Sequence, residues 1–157
     1  MNKTTSKIAS LCAGALALIG VNSAAVAQDG MIAVPSSHDV ATTMDKLESV
    51  LKSKGMTIMA RVDHTANAAN VDLELRPTQL LIFGNPKVGT QLMQCSQSIA
   101  IDLPLKMLAY QAEDGQVFLA YNDPAYLKAR HATQGCDAVF ETVSGALGNF
   151  AKAATGS

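Results

Sequence analysis

The sequence predicts an α+β fold: one compact domain in which a four- to five-stranded mixed or antiparallel sheet carries helices on one face. Three observations predict it. Apolar residues recur at helical spacing in several segments, and other segments alternate or run apolar between Gly and Pro turns. The elements follow the order strand, helix, strand, strand, helix, hairpin, helix, helix. No internal repeat or linker divides the chain, so we expect a single domain.

The N-terminal residues are typical of an export signal. Lys3 and Lys7 precede an apolar block from 11 to 21, and the block is followed by the small residues of Ala25-Val26-Ala27. We therefore expect a signal peptide over 1–27, cleavage near Gln28, and a periplasmic or secreted mature chain.

Two other interpretations of the N-terminus are less favoured. A retained anchor needs about 20 apolar residues, roughly twice this block, so we expect no stable membrane anchor after cleavage. Lipidation of Cys12 is disfavoured because the bulky Leu11 stands where a lipoprotein signal has a small residue.

Composition excludes one class of partner. Without Lys3 and Lys7 the chain keeps 10 basic against 13 acidic residues, a formal charge of −3. It has neither the clustered cations nor the aromatic residues of a nucleic-acid binder. We expect no nucleic-acid partner.

Two cysteines follow the predicted signal, Cys95 and Cys136. An even count in an exported chain favours a disulfide, whose loop of 41 residues would contribute about 4 kcal/mol in the chain-entropy model. Two free core thiols, or a redox or metal-binding pair, are the alternatives, although the C-x-x-C spacing is absent.

The first half of the domain is predicted as follows. Residues 28–35 form a lead-in or first strand that ends at Pro35, and Ser36 and Ser37 are candidate caps of the helix that follows. That helix spans about 17 residues and ends before Gly55, which suits a left-handed cap. A strand over 56–64, a mixed connection over 65–77 and a strand over 78–83 follow.

The second half contains two Asn/Asp-Pro helix starts. Asn85 and Pro86 begin a helix over about 86–97, and Asn122-Asp123-Pro124 begins a short helix to about Arg130. A hairpin lies between them, with strands from Pro104 and over 117–121. A last helix starts after Cys136; the domain is placed at 36–153 and a C-terminal tail at 154–157.

Three motifs carry a family resemblance: Phe83-Gly84-Asn85-Pro86, Asp102-Leu103-Pro104 and Tyr121-Asn122-Asp123-Pro124. With their order and spacing, the chain resembles the bacterial domain of unknown function 302 (DUF302) family over about 35–150. The resemblance implies a compact α+β fold and no established activity.

The candidate ligand-binding residues are His64, Asn85, Asp102, Asn122 and Asp123. The two helix starts expose N–H groups that suit an anion, but capping explains Asn85, Asn122 and Asp123 at lower cost. Asp102 is interpreted as a carboxylate that caps nearby backbone, and His64 as a strand-end histidine. We therefore predict no catalytic residue.

The remaining histidines, His38 in a first helical turn and His131 near a helix end, have no metal-site spacing. Six methionines follow the predicted signal, scattered along the chain and typical of core filling. The sequence predicts neither a metal site nor a cofactor.

Three functions remain. The favoured one is a non-enzymatic module that binds a small molecule or an envelope protein, possibly as a homodimer. The second is copper or haem binding by His64, a methionine and reduced Cys95 or Cys136. The third is a hydrolase or isomerase with Asp102, Asp123 or His64 as acid or base.

Overall fold

The computed structural model describes residues 26–28 and 30–157. Most of the predicted export signal lies outside these residues, and export stays a prediction. A short strand, β1 (Val26–Gln28), lies across the expected cleavage position and pairs antiparallel with β2 (Met31–Ser36).

The sheet is antiparallel throughout, in the order β1-β2-β6-β5-β4-β3. Its other strands are β3 (Thr57–Asp63), β4 (Thr78–Gly84), β5 (Leu105–Gln111) and β6 (Val117–Asn122). Five strands of six or seven residues form its body, and β1 adds three residues at one edge. The predicted α+β class with an antiparallel sheet is confirmed.

The helices are α1 (Val40–Ser53), α2 (His64–Ala69), α3 (Pro86–Cys95), α4 (Pro124–Arg130) and α5 (Asp137–Thr155). A 3-10 helix, Gln97–Ile101, follows α3. The two long helices, α1 and α5, contact each other and the sheet. The core lies between these helices and the sheet, and Leu81, Met107 and Leu119 are fully buried in it. The Phe83 and Phe150 rings meet edge to face, with centroids 6.4 Å apart.

The start of α1 differs from the prediction. Asp39, rather than Ser36 or Ser37, caps the helix, since its carboxylate accepts a hydrogen bond from the Thr42 N–H at 2.7 Å. The Ser36 hydroxyl instead lies 2.7 Å from the Thr43 hydroxyl in a buried pair. The helix ends as predicted, because Gly55 has φ +70°.

Two connections contain helical turns that the sequence does not reveal. The predicted connection over 65–77 contains part of α2, which the Asp63 carboxylate caps through the Ala66 N–H at 2.9 Å. The helix predicted over 86–97 ends at Cys95, and a separate 3-10 helix follows it. Both are short, so apolar periodicity cannot mark them.

The C-terminal end of α5 is packed into the fold. Ala154 and Thr155, the first two residues of the predicted tail, are helical and fully buried. The Thr155 carbonyl accepts hydrogen bonds from the Ser37 N–H and hydroxyl, at 3.0 and 2.9 Å. These bonds join the end of α5 to the segment between β2 and α1.

Cys95 and Cys136 form a disulfide, as the favoured alternative predicts, with their Cα atoms 6.3 Å apart. The bond joins the last residue of α3 to the residue before α5. It therefore ties together two helices that also form the walls of a cavity.

Candidate functional site

An apolar cavity of about 400 Å³ lies between α3, α5 and the segment that links α3 to β5. Its size is that of a small-molecule pocket. The helices supply most of its walls: Val88, Leu92 and Met93 from α3, and Val143, Ala146, Leu147 and Phe150 from α5. Ala100, Leu103 and Pro104 close it on the side of the link.

Among the residues that the structure describes, none with an ionisable side chain lines the cavity. Two of the three polar lining residues already use their side chains locally. The Asn85 side-chain oxygen accepts from the Lys87 and Val88 N–H groups at the start of α3, and the Thr142 hydroxyl donates to the Ala138 carbonyl. The wall therefore suits an uncharged, apolar molecule.

Three methionines border the same cavity, Met56, Met59 and Met93. Met59 is 50% exposed and lies beside Gly84, where an added Cβ would come within 3.5 Å of the Met59 methyl carbon. Because methionine is flexible, Met59 is an adaptable part of the cavity wall. The sequence places these residues far apart, so only the fold reveals the group.

A second cluster includes residues of the same link between α3 and β5 that do not line the cavity. The Asp102 carboxylate is 2.6 Å from His131 Nε2, and His131 Nδ1 is 2.9 Å from the Ser98 hydroxyl. The side chains of Asp102 and His131 are only 11% and 5% exposed, while Ser98 lies on the surface. We call Ser98, Asp102 and His131 the polar array.

The polar array corrects one sequence interpretation and extends another. Asp102 binds the imidazole of His131, at the end of α4, and its second oxygen lies 3.3 Å from the Arg130 guanidinium; no backbone cap by this carboxylate is observed. His131 pairs with a carboxylate 29 positions away, in addition to its place at a helix end. Separation in sequence hides this pair.

Of the other candidate ligand-binding residues, only Asn85 lines the cavity. His64, Asn122 and Asp123 lie outside its wall. Asp123 caps α4, with its carboxylate accepting from the Ala125 N–H at 2.8 Å, and Asn122 is the exposed last residue of β6. His64 is the first residue of α2 rather than the end of a strand. The start of α3 therefore borders this cavity, whereas the start of α4 does not.

Tyr121 and Glu48 are among the groups whose pKa values are shifted. Burial, with a smaller effect of the Asp123 charge, raises the pKa of Tyr121. A hydrogen bond from the Lys52 ammonium lowers the pKa of Glu48 on α1. Neither group lines the cavity.

In residues 26–28 and 30–157, no group of three or more His, Cys, Asp or Glu side chains is arranged to hold a metal ion. Within the same described residues, no helix has the length and apolar character required to cross a bilayer.

Comparison with known proteins identifies the family. The family model "Domain of unknown function DUF302" matches residues 32–150. A crystal structure of an uncharacterised conserved DUF302 protein from Bacillus stearothermophilus superimposes with a TM-score of 0.72, over 80% of this chain and 98% of that one, at 18% identity. At that identity, the superposition establishes the fold alone.

Curated relatives share a segment of this chain. Over 109 residues it is 45% identical to "Fluoride-specific ion channel FluC 1" of Brucella suis and of Brucella abortus, and to "Fluoride-specific ion channel FluC 2" of Brucella melitensis. The segment is 69% of this chain but only 43%, 40% and 40% of those proteins. The chain thus spans less than half the length of these relatives.

Proposed function

The chain belongs to the DUF302 family, and we propose that it is a non-enzymatic binding module whose cavity between α3 and α5 holds a small, uncharged apolar molecule. The single observation that carries the proposal is the cavity itself. It combines the volume of a ligand pocket with a wall that contains no ionisable side chain.

The chemistry of the wall defines the ligand class. Val143, Leu147 and Phe150 present aliphatic and aromatic surface from α5, opposite Val88 and Leu92 of α3. An acyl chain or a small aromatic molecule gains from leaving water for such a surface, at roughly 25 cal/mol for each Å² buried. An anion would have no cationic partner there, so the wall does not support fluoride as its ligand.

We place this module in the bacterial envelope. The lysines and the apolar block near the N-terminus support export. The Brucella relatives are named as ion channels, which also favours work beside a membrane. Homodimer formation stays a prediction, which sedimentation of the purified mature chain would test.

Binding of the neutral fluorescent probe N-phenyl-1-naphthylamine tests the proposal. We expect its emission to rise with the wild-type chain, and Ala146→Phe to weaken binding about tenfold by filling the cavity. Ala153→Phe is the matched control, because it adds the same ring at an exposed position of α5.

The same assay defines the head group of the ligand. Decanol and decanoate share one chain length and differ in charge, and we expect decanol to displace the probe at the lower concentration. Equal binding by the Ala146→Phe and wild-type chains, or no response of the probe at all, would contradict the cavity as the binding site.

A second candidate function is copper(I) binding, which the three methionines at the cavity favour. Thioether sulfur is a soft ligand that selects copper(I), and Met56, Met59 and Met93 border one space. The ligand set expected from the sequence is not assembled, because the cysteines are paired with each other and His64 lies outside the cavity wall.

Competition with the copper(I) chelator bicinchoninate separates the two candidates. Copper binding predicts that the wild-type chain withdraws one equivalent of copper(I), and that a Met56→Leu, Met59→Leu, Met93→Leu variant withdraws none. That variant keeps the cavity apolar and should still bind the naphthylamine probe. Unchanged copper uptake by the triple variant would rule out the methionine site.

A further inference from the structure

In the polar array, a carboxylate orients an imidazole, and the imidazole is placed as a general base next to a hydroxyl. Its carboxylate, imidazole and hydroxyl follow one another at 2.6 and 2.9 Å, from Asp102 through His131 to Ser98. Activated serine nucleophiles are recognised by this order of groups and by their distances, independently of fold. Nothing in the proposed binding function uses it.

The hydrogen bonds define which imidazole nitrogen is free. A carboxylate only accepts hydrogen bonds, so an uncharged imidazole that is bonded to Asp102 through Nε2 has its hydrogen on that nitrogen. Nδ1 then carries a lone pair, and it faces the Ser98 hydroxyl at 2.9 Å. Ser98 therefore donates to Nδ1, the arrangement in which a ring nitrogen removes a hydroxyl proton.

Neighbouring groups hold the array in place. Arg130 lies 3.3 Å from the second Asp102 oxygen, and the Lys106 ammonium donates to the Asp102 carbonyl at 2.9 Å. The Ser96 hydroxyl lies 3.0 Å from that of Ser98 and is able to donate to it. The proton of Ser98 then remains directed at His131.

The three residues of the array differ in their exposure to solvent. Asp102 and His131 are largely removed from water, with side chains 11% and 5% exposed. The hydroxyl that they orient is on a residue exposed to solvent. A hydrogen-bond network with a purely structural role does not require an accessible terminal hydroxyl. A nucleophile, in contrast, must be accessible to its substrate.

We propose that Ser98 is a nucleophile that accepts an acyl group from small activated esters, with His131 as general base and Asp102 as its positioning residue. The Ser98 oxygen attacks the ester carbonyl carbon while its proton passes to Nδ1 of His131. The ester bond breaks, and the leaving alkoxide takes that proton to become the alcohol. The acyl group remains on Ser98, so the step is a single transfer without turnover and is compatible with a non-enzymatic binding module.

Reaction with 4-nitrophenyl acetate tests the proposal on the full mature chain. We expect one acetyl group per chain, mapped to Ser98 by peptide mass spectrometry. Ser98→Ala should remove this label, whereas Ser144→Ala, at another exposed serine, should keep it. General-base assistance contributes about 10²- to 10⁴-fold, so His131→Ala should slow labelling by about 100-fold.

Two readouts distinguish chemistry from folding. Added imidazole should restore labelling of Ser98 in the His131→Ala variant, a result that a structural role would not produce. If that variant does not fold, Asp102→Asn should slow labelling and Asp102→Glu should restore part of it. Acetylation confined to lysines, or equal labelling of Ser98 in the Asp102→Asn and wild-type chains, would overturn the proposal.

Discussion

The cavity and the polar array share one short segment but use different residues of it. Ala100, Leu103 and Pro104 border the cavity, whereas Ser98 and Asp102 belong to the array. A 3-10 helix has three residues per turn, so residues only two positions apart point in different directions. Apolar and polar chemistry are thereby separated within seven residues of chain.

This difference shows what each region is able to do. The cavity wall presents apolar surface without directional bonds, so in the proposed function a ligand would be selected by size and polarity. The array fixes three side chains by hydrogen bonds and leaves a hydroxyl at the surface. A ligand in the cavity therefore need not be a substrate of the array, and variants should affect the two regions separately.

Removal of the disulfide should cause the largest loss of stability and should disturb the cavity first. Cys95 and Cys136 close a loop of 41 residues between two cavity walls. The chain-entropy model gives about 4 kcal/mol for such a loop, so the Cys95→Ala, Cys136→Ala variant should unfold at lower urea concentration.

Reduction provides the control for this prediction. Dithiothreitol should lower the urea midpoint of the wild-type chain by a similar amount and leave the double variant unchanged. A midpoint that is equal in the wild-type and double-variant chains would show that the bond adds no stability.

Loss of His131 should destabilise the array by an intermediate amount and leave the cavity intact. His131→Ala removes a hydrogen bond from Asp102, a carboxylate that is only 11% exposed. A buried acceptor that loses its partner costs about 1–3 kcal/mol, here lessened because Arg130 remains nearby. Urea unfolding measures the loss, and naphthylamine binding should be unchanged in the folded variant.

Asn85→Ala, at the cavity wall, should lower the stability of the fold by a smaller amount. The Asn85 side chain caps α3 through the Lys87 N–H at 3.0 Å, and loss of such a cap costs about 1 kcal/mol. Asn85→Asp keeps a capping oxygen and should retain the wild-type urea midpoint. A loss of equal size in both variants would mean that the amide has a role beyond the cap.

The sequence predicts what depends on neighbours along the chain. Asn85 and Asp123 stand directly before a proline and cap the helices that follow, and Gly55 ends α1. Their signals are local, so the elements and the fold class could be predicted. The disulfide could also be predicted, because only two cysteines follow the predicted signal.

The candidate site could not be predicted because its parts meet only through tertiary packing. Met56 and Met93 border one cavity although 37 positions separate them, and Asp102 reaches His131 across 29. No spacing rule connects such pairs. The 3-10 helix that contains Ser98 is also too short to produce a periodic pattern.

At low pH the fold should lose a small amount of stability through Glu48 on α1. This loss should not be accompanied by a change in binding at the cavity. The hydrogen bond from Lys52 lowers the pKa of Glu48, so the folded chain binds this proton less tightly than the unfolded chain. The contribution is present above the unfolded pKa, about 4.3, and is lost as the pH falls through the folded value. Glu48→Gln should therefore flatten the fall in melting temperature between about pH 5 and 3.

Because no ionisable side chain of the described residues lines the cavity, naphthylamine binding to the folded chain should not follow this curve. If probe binding changed in parallel with the Glu48-dependent melting temperature, the cavity and α1 would be coupled through the core, and the two properties would have to be treated as one.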